Sequence, residues 1–453
     1  MSNTYLQEYR RKLISAEKAA ALVQSGDHIL YGVFLGRPYD FDMELAKRRD
    51  ELFDVQVTQC SGNTVSDNSA FADPSGEHFT SNSWFFDITE RQLADRGMIF
   101  YNPCQFGQLQ DMIGSDLFPY DIYVQKVSPM DRHGWFSFGL TNVNSLESCL
   151  SANKMVILEV NENMPRVPGG SEDAVHISMV DYVIESSNPP LKTLPPPLAA
   201  SPAEKKMAEY IVELIPDRAC LQLGIGGIPN TVGELLVKSD LKDLGIHTEM
   251  FVDSMVTLSD SGLVTGRYKA TDRCKITFTF ALASQESYDF MAENPLMASQ
   301  CGRFTNDVNV IGRNDNFISI NSTVMMDLYS QACSESAGPR QISGTGGQVD
   351  FITGAWKSKG GKSFLCLSSS FQDRMGILHS RIVPTVPGGG IVTTPRTLID
   401  YVVTEYGITQ LKGKPTWHRA EELVRLSHPA FRDELIKQAQ QLNIWRRTNK
   451  QDA

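Results

Sequence analysis

A cluster of prolines near the middle of the chain constrains the fold most. Five prolines lie within residues 189–197, directly after the turn-forming residues 186–188. Proline lacks a backbone N–H and has a fixed φ, so this segment cannot continue a helix or an inner strand. The pattern predicts a stiff, extended connector between two domains, residues 1–200 and 201–453. A long surface loop within one domain is the alternative.

Short apolar runs alternate with helical or polar segments on both sides of this connector. This pattern is typical of α/β domains with largely parallel sheets. We therefore predict two similar, open, mostly parallel α/β domains. The predicted strands of the first half are 28–33, 55–57, 98–101, 122–127 and 155–159. Those of the second half are 219–223, 246–252, 276–280, 308–311, 317–320, 363–367, 391–392 and 401–404.

Charge and residue usage exclude several classes of protein. Acidic residues exceed basic ones by 53 to 42, so the net charge of −11 disfavours nucleic acid as a partner. No apolar run approaches the roughly 20 residues that span a bilayer, and we see no signal peptide, so we predict a cytoplasmic protein. The eight cysteines are scattered and the eight histidines form no zinc motif, so we expect no metal site.

A glycine turn, residues 224–230, follows the apolar strand 220–223 directly. A strand, a glycine turn and a helix start together aim backbone N–H groups at one point, which suits a phosphate or a developing oxyanion. The spacing Thr231-x-x-Glu234 predicts a capping box at the start of the helix. The alternative is a tight turn whose glycines serve only packing.

A second glycine loop spans residues 344–347. Three glycines in four positions allow close approach of a ligand to the backbone. Two such loops in one domain favour a ligand with several polar groups. A flexible hairpin or bulge is the alternative.

Two polar residues lie in otherwise apolar strands. Alternation along residues 245–253 puts Glu249 on one face with His247, and a buried carboxylate there would need a partner. Glu249 could act as a nucleophile or base, or it could face solvent. Asn321, at the end of the strand 317–320, could donate to a carbonyl oxygen or cap the next turn.

These segments together make the chain recognisable. It resembles the acetyl-CoA hydrolase/transferase group of family I coenzyme A transferases nearly end to end, including VNENMPR at residues 160–166. The motifs that carry the resemblance are LGIGGIPN, LKDLGIHTEMFVDS, FISINS, SGTGGQVDFITGA and SKGGKSF, in this order.

The resemblance implies a function and a set of site residues. It implies that Glu249 is the nucleophile and passes through a glutamyl-CoA thioester in a ping-pong reaction. The residues expected to act on the developing oxyanion are Ile225, Gly226 and Asn321. Those expected to contact CoA are Gly224, Ile225, Gly226, Gly227, Ile228, Val324, Gly346 and Gly347. The active site is expected in a cleft between the two α/β halves, with residues 32–38 and 139–145 as candidates for the acyl pocket.

The expected reaction exchanges CoA between a short-chain acyl-CoA, such as butyryl-CoA, and a carboxylate such as acetate. Acyl-CoA hydrolysis on the same scaffold and transfer to 4-hydroxybutyrate are alternatives. A non-catalytic CoA-sensing protein is a third reading, from another class. We expect no permanently bound cofactor, with CoA and acyl-CoA as substrates, and a homo-oligomer, either dimer or tetramer.

Overall fold

The computed structural model describes residues 4–61, 69–195, 199–224 and 226–446. Helices and strands alternate along the first 195 residues, as the periodicity of the sequence predicts. Their bounds are α1 (Thr4–Lys12), α2 (Ala16–Ala20), β1 (His28–Tyr31), α3 (Asp40–Lys47), β2 (Val55–Gln59), α4 (Ser69–Ala72), β3 (Phe79–Ser83), α5 (Ile88–Ala94), β4 (Ile99–Tyr101), α6 (Leu109–Ile113), β5 (Ile122–Val127), β6 (Trp135–Ser137), α7 (Ser145–Ser151), β7 (Met155–Val160), β8 (Ala174–His176) and β9 (Tyr182–Glu185).

The same alternation resumes after the prolines. The bounds are α8 (Pro202–Val212), β10 (Cys220–Leu223), α9 (Gly227–Val237), β11 (Gly245–Ile246), β12 (Met250–Phe251), α10 (Asp253–Asp260), β13 (Ile276–Phe278), β14 (Phe280–Ala281), α11 (Gln285–Met291), β15 (Met297–Ser299), α12 (Gly302–Thr305), α13 (Val308–Gly312), β16 (Phe317–Ser322), β17 (Met325–Asp327), β18 (Ala332–Cys333), β19 (Ser336–Ala337), β20 (Arg340–Gln341), α14 (Gln348–Lys357), β21 (Lys362–Cys366), β22 (Ser370–Gln372), β23 (Leu378–Ser380), β24 (Ile382–Val383), β25 (Tyr401–Thr404), β26 (Gly407–Gln410), α15 (Thr416–Leu426) and α16 (Arg432–Gln441).

The chain divides into two compact units, neither of them one continuous stretch. The first unit comprises residues 1–195, 249–252 and 275–306, and the second comprises residues 196–248, 253–274 and 307–453. The sequence predicts a single division at residue 200. The structure differs from this prediction, because residues 249–252 and 275–306 return to the first unit. Their physical reason is backbone pairing: Phe280 bridges Thr141, and Ser299 bridges Gly169.

The first unit contains a seven-stranded sheet in the order β4-β3-β2-β1-β5-β7-β9, with every pairing parallel. Its apolar core lies between this sheet and helices α2 and α3, and includes Ile29, Phe41 and Val124. The strand order reverses between β1 and β5. In parallel α/β sheets, ligands bind outside the carboxyl ends of the strands at such a reversal.

The second unit contains a six-stranded sheet in the order β11-β10-β16-β21-β25-β26. All its pairings are parallel except that of β25 with β26, which is antiparallel. Here the strand order reverses between β10 and β16. The predicted fold class, two α/β halves with mostly parallel sheets, is confirmed.

Two predicted strands are absent from the structure. Residues 308–311 belong to helix α13, because the Asp307 carboxylate accepts hydrogen bonds from the N–H groups of Asn309 and Val310 and so caps a helix. Their β-branched side chains favour a strand locally, and the cap overrides that preference. Residues 391–392 form no strand, and both are exposed in a loop.

Candidate active site

Glu249 lies at a bend where the chain enters the first unit, one residue before β12. Its carbonyl oxygen accepts hydrogen bonds from the N–H groups of Thr279 (3.0 Å) and Phe280 (3.2 Å), and its side chain is half-buried. These two hydrogen bonds fix the backbone of Glu249 and do not involve its side-chain carboxylate.

The predicted continuous strand over 246–252 is wrong. Strand β11 pairs with β10, and this ladder ends where the His247 N–H donates to the carbonyl of Leu221. Strand β12 pairs instead with β14. Because the partner changes between the two short strands, the predicted alternation of faces fails, and His247 and Thr248 are both fully buried.

The carboxylate of Glu249 has a specific amide partner. The Asn306 side-chain Nδ2 donates to Glu249 Oε2 at 2.7 Å. Asn306 is 1% exposed and directly follows the short helix α12. A hydrogen bond to an ionised carboxylate is stronger than one between neutral groups, and it orients the carboxylate. Sequence reasoning missed Asn306, because nothing in its local pattern distinguishes it from a helix-terminal asparagine.

Aromatic side chains line the first unit next to Glu249. The Phe34 ring stacks on the Phe280 ring at 3.9 Å between centroids. Phe34 has a positive φ of 48°, a region that costs a residue with a Cβ about 1–3 kcal/mol, and its N–H donates to the carbonyl of Cys60. Strain of this kind concentrates at functional sites. Phe34 lies within 32–38, one of the predicted acyl-pocket segments.

The other predicted acyl-pocket segment, 139–145, packs against the first. The Thr141 hydroxyl donates to the carbonyl of Val33 at 2.9 Å, and a Cβ at Gly36 would lie 2.8 Å from the Thr141 methyl. The Asn142 N–H donates to the carbonyl of Thr279. Both segments therefore lie beside Thr279 and Phe280, whose N–H groups hold Glu249.

Cys60 is a buried neighbour of this region and not a nucleophile. Burial raises the pKa of its thiol well above the ordinary value, and the nearby carboxylates Glu90 and Glu249 add to the effect. The thiolate is the reactive form of cysteine, so this thiol is inert.

The first glycine turn lies in the second unit and begins helix α9. Gly226 caps this helix with φ 127° and ψ 179°, a conformation that only glycine adopts readily. A Cβ at Gly227 would come within 2.0 Å of the Glu204 carboxylate, and Ile228 is buried. Gly224 and Gly226 lie on either side of Ile225, which falls outside the described residues.

The predicted capping box at Thr231 is wrong. Helix α9 already begins at Gly227, so Thr231 lies inside it and its hydroxyl donates to the Gly227 carbonyl at 2.7 Å. A hydroxyl in a helix interior commonly bonds to the preceding turn in this way. The earlier start places the helix N-terminus, with its partial positive charge, directly at the glycine turn.

Asn321 forms a reciprocal amide pair with Gln222. Asn321 Nδ2 donates to Gln222 Oε1 at 3.1 Å, and Gln222 Nε2 donates to Asn321 Oδ1 at 3.1 Å. Asn321 Nδ2 also donates to the Ser319 hydroxyl at 2.9 Å. Both hydrogens of this amide are therefore used within the second unit, and donation to a substrate requires one of them to change partner. Sequence reasoning missed Gln222.

The second glycine loop begins helix α14. Gly346 has a positive φ of 55°, and Gly347 is the residue before the helix. Crossover helices run antiparallel to the strands they connect, so α9 and α14 both start at the carboxyl edge of the sheet. The Gln348 side chain reaches the carbonyl of Ser322 at 3.5 Å, which ties α14 to the end of β16. The structure thus brings both glycine loops and Asn321 to one edge.

Val324 follows β16 and uses both of its backbone groups within the second unit. Its N–H donates to the carbonyl of Cys333 at 3.0 Å, and its carbonyl accepts from Arg381 Nη1 at 3.0 Å. A CoA contact at this residue would therefore use its half-buried side chain or the second lone pair of its carbonyl.

Two other classes of site are absent from the described part of the chain. No helix there is long and apolar enough to cross a membrane. No group of three or more histidine, cysteine, aspartate or glutamate side chains is placed to hold a metal ion within the same residues.

Comparison with known proteins defines the family to which the chain belongs. The family model of the acetyl-CoA hydrolase/transferase N-terminal domain matches residues 1–195, and that of the C-terminal domain matches residues 283–439. Together they match more than half of the chain, which belongs to the acetyl-CoA hydrolase/transferase family. The resemblance predicted from the sequence is confirmed.

Full-length relatives narrow the class. The chain is 46% identical to the probable butyrate:acetyl-CoA coenzyme A-transferase of Syntrophomonas wolfei, covering 99% of this chain and 100% of that protein. It is 44% identical to the butyryl-CoA:acetate CoA-transferase of Anaerostipes caccae, with the same coverage. The crystal structure of RipA from Yersinia pestis has a TM-score of 0.88 and 35% identity, covering 97% of this chain and 100% of that one. The chain is an enzyme of the CoA-transferase class.

Proposed function

We propose that this enzyme exchanges CoA between a short-chain acyl-CoA, butyryl-CoA or a similar thioester, and a carboxylate acceptor such as acetate. The observation that carries the proposal is the half-buried Glu249 carboxylate, held by Asn306 at 2.7 Å beside aromatic side chains. Relatives at 44–46% identity bear names for reactions of butyrate or butyryl-CoA with acetyl-CoA or acetate, which supports the choice of substrates.

In the proposed reaction, Glu249 is the nucleophile. Its carboxylate oxygen attacks the thioester carbonyl carbon, the C–S bond breaks, and CoA leaves as thiolate from a mixed anhydride. The thiolate then attacks the Glu249 carbonyl carbon and displaces the free carboxylate, which leaves a glutamyl-CoA thioester. A second acid reverses both steps. Covalent catalysis replaces one difficult exchange by easier steps and gives ping-pong kinetics.

For the second unit we propose binding of CoA at the carboxyl edge of its sheet. Glycine turns that begin helices α9 and α14 present backbone N–H groups, and helix N-termini favour anions such as the CoA phosphates. The CoA contacts remain those predicted, Gly224 to Ile228, Val324, Gly346 and Gly347. Stabilisation of the oxyanion by Ile225, Gly226 and Asn321 also remains a proposal.

Hydrolysis is the second candidate function, since the matching family includes hydrolases by name. The two reactions share the glutamyl-CoA thioester and differ only in the final acceptor, water or a carboxylate. Transfer to 4-hydroxybutyrate is a variant of the first function with a different acid.

The test is incubation with butyryl-CoA and acetate, with products separated chromatographically. We expect acetyl-CoA to form with acetate present and little CoA to be released without it. We expect Glu249→Gln to lower the exchange rate by at least about 10³-fold. The matched control is Glu286→Gln, at an exposed glutamate of the first unit, which should keep the wild-type rate.

A chemical trap tests the intermediate. Borohydride reduces a thioester to an alcohol, so treatment after butyryl-CoA alone should inactivate the enzyme and change the mass of the peptide that contains Glu249. Retention of most activity in Glu249→Gln, or no reduction at Glu249, would contradict the proposed nucleophile. CoA release at the full rate without acetate would favour the hydrolase.

A further inference from the structure

A short hairpin lies at the carboxyl edge of the sheet in the second unit. Its strands β22 and β23 follow β21 in the chain, and their pairing places Phe371 opposite His379. The Asp373 carboxylate accepts hydrogen bonds from the N–H groups of Met375 and Ile377, both at 2.9 Å, and so closes the turn. The hairpin is therefore a defined element at the edge where the proposed function places CoA.

Arg381 directly follows this hairpin and ties it to the segment after β16. Its N–H donates to the carbonyl of Ser369 at 2.9 Å, and its carbonyl accepts a hydrogen bond from the Met326 N–H at 3.0 Å. Its side-chain Nη1 donates to the carbonyl of Val324 at 3.0 Å. Because Val324 is one of the predicted CoA contacts, the Arg381 side chain lies beside a proposed part of the CoA site.

The guanidinium of Arg381 has no anionic partner. The side chain is half-buried, its Nε is buried without a hydrogen-bond partner, and no carboxylate pairs with it within the described ranges of the chain. Burial lowers the pKa of this guanidinium, and no neighbouring charge contributes to the shift. Burying a charge and its N–H donors without an anion costs free energy. A ligand that brings an anion would offset this cost.

Two carboxylates of the surrounding segments are engaged by other groups. Asp373 Oδ2 lies 2.9 Å from His379 Nε2, in addition to the backbone hydrogen bonds that this carboxylate accepts in the turn. The Glu405 carboxylate accepts hydrogen bonds from the N–H of Ser369, at 3.0 Å, and from the hydroxyl of the same residue. Neither carboxylate therefore neutralises Arg381.

The Phe371 ring holds the guanidinium from one side. The guanidinium carbon of Arg381 lies 4.8 Å from the centroid of this ring, and the His379 ring stacks on Phe371 at 5.2 Å between centroids. Contact with a ring uses the flat face of a guanidinium, whereas its N–H donors lie in its plane and stay available for an anion. The planar fork of arginine matches phosphate oxygens through two parallel hydrogen bonds. The arrangement therefore suits a phosphate.

CoA brings phosphates to this edge of the sheet in the proposed function. It carries a diphosphate and a 3′-phosphate, whereas the chain has a net charge of −11 and needs local cations to hold such an anion. Helices α9 and α14 begin at the same edge and offer backbone N–H groups, which carry only partial charge. Arg381 adds a full positive charge.

We infer that the Arg381 guanidinium binds a phosphate of CoA, so that this residue selects CoA thioesters over the shorter thioesters of pantetheine. This inference rests on the proposed binding of CoA by the second unit and assigns a specificity-determining residue to it. The diphosphate and the 3′-phosphate offer the same chemistry. Dephospho-CoA, which lacks only the 3′-phosphate, distinguishes between them.

The experiment compares butyryl-CoA, butyryl-dephospho-CoA and butyryl-pantetheine as donors, with acetate as acceptor. In Arg381→Gln, which keeps a donor for the Val324 carbonyl and loses the charge, kcat/KM for butyryl-CoA should fall at least about tenfold, as expected for loss of a hydrogen bond to a charged group. The value for butyryl-pantetheine should stay unchanged, because this donor has no phosphate. A fall for butyryl-dephospho-CoA as well would assign the diphosphate, and no fall would assign the 3′-phosphate.

The matched control is Arg267→Gln, at an exposed arginine of the second unit that also lies over an aromatic ring, Tyr268. It should keep the wild-type values for all three donors. If butyryl-pantetheine reacts too slowly for its rate to be measured, inhibition constants of CoA and pantetheine take the place of the kinetic values. If Arg381→Gln does not fold, Arg381→Lys, which loses the planar fork, should show a smaller fall that is again confined to the phosphorylated donors.

Each outcome decides the question. An unchanged kcat/KM for butyryl-CoA in Arg381→Gln would overturn the inference. An equal fall for butyryl-CoA and butyryl-pantetheine would also overturn it, because Arg381 would then act on the fold or on the acyl group and not on a phosphate. Absence of exchange between butyryl-CoA and acetate in the wild-type enzyme would instead refute the proposed function.

Discussion

The Asn306 side-chain amide donates to the Glu249 carboxylate at 2.7 Å across 57 residues of sequence. Glu249 sits at a bend whose carbonyl is held by Thr279 and Phe280, so backbone and side chain are both fixed. A nucleophilic carboxylate must be aimed at a thioester carbonyl, and fixed orientation lowers the barrier to attack. Asn306 is therefore a positioning residue in the proposed mechanism.

Replacing Asn306 tests this role. We expect Asn306→Ala to lower kcat about 10- to 100-fold, the loss of a hydrogen bond to a charged group, with a smaller effect on KM. Because the amide stabilises the ionised carboxylate, its removal should also move the acid limb of the pH–kcat profile to higher pH. Steady-state kinetics from pH 4 to 8 check both. Asn153→Ala, at an exposed asparagine, is the control, and an unmoved acid limb would contradict the role.

Substitution of Gly226 should destabilise the protein. Its φ of 127° and ψ of 179° cost a residue with a Cβ about 1–3 kcal/mol. We expect Gly226→Ala to lower Tm and to weaken CoA binding, measured by thermal denaturation and calorimetry. Gly388→Ala is the matched control, because that glycine is exposed and a Cβ there would meet only open space. Equal Tm values for the two variants would argue against strain at the turn.

The amide pair of Gln222 and Asn321 should be stabilising. Gln222→Leu leaves the Ser319 hydroxyl and both amide atoms of Asn321 with fewer partners in a buried strand, at a cost of about 1–3 kcal/mol. Urea denaturation measures this cost, and Gln440→Leu, at an exposed helical glutamine, is the comparison. If Asn321 is a donor to the substrate, Gln222→Leu should also lower kcat under conditions in which the variant remains folded.

Glu90 should make stability depend on pH. Burial, with Asp87 nearby, raises the pKa of this fully buried carboxyl to about 8. Below the ordinary glutamate pKa both states bind the proton. Between that value and about 8 only the folded state holds it, so the free energy of unfolding falls as pH rises, by up to roughly 1.4 kcal/mol per pH unit.

Glu90→Gln should remove this dependence. Glutamine can still accept the hydrogen bond from the Asp87 N–H that the carboxylate accepts at 2.8 Å. We therefore expect the variant to lose less stability than the wild type between pH 5 and 8, measured by denaturant unfolding at each pH. Glu17→Gln, at an exposed glutamate, should follow the wild-type curve. Parallel curves for Glu90→Gln and wild type would contradict the prediction.

The sequence alone predicted much of this protein, because the signals involved are local. Alternating strands and helices indicated parallel α/β halves, and the glycines at 224–227 marked a turn that begins a helix. The motif spacing identified the family. Where local signals conflict, they misled: the β-branched run at 308–311 is a helix because Asp307 caps it.

Tertiary structure decided the partners of the candidate site residues. Asn306 reaches Glu249, and Gln222 reaches Asn321 from 99 residues away, only because the chain path brings distant strands and helix ends together. Lys126 looks in sequence like one more strand residue, and its burial beside a cavity becomes visible only when β5 lies between β1 and β7. Sequence periodicity depends on contacts within a few residues, whereas hydrogen-bond partners and burial depend on packing across the whole fold. For that reason the family followed from the sequence, and the surroundings of Glu249 followed only from the structure.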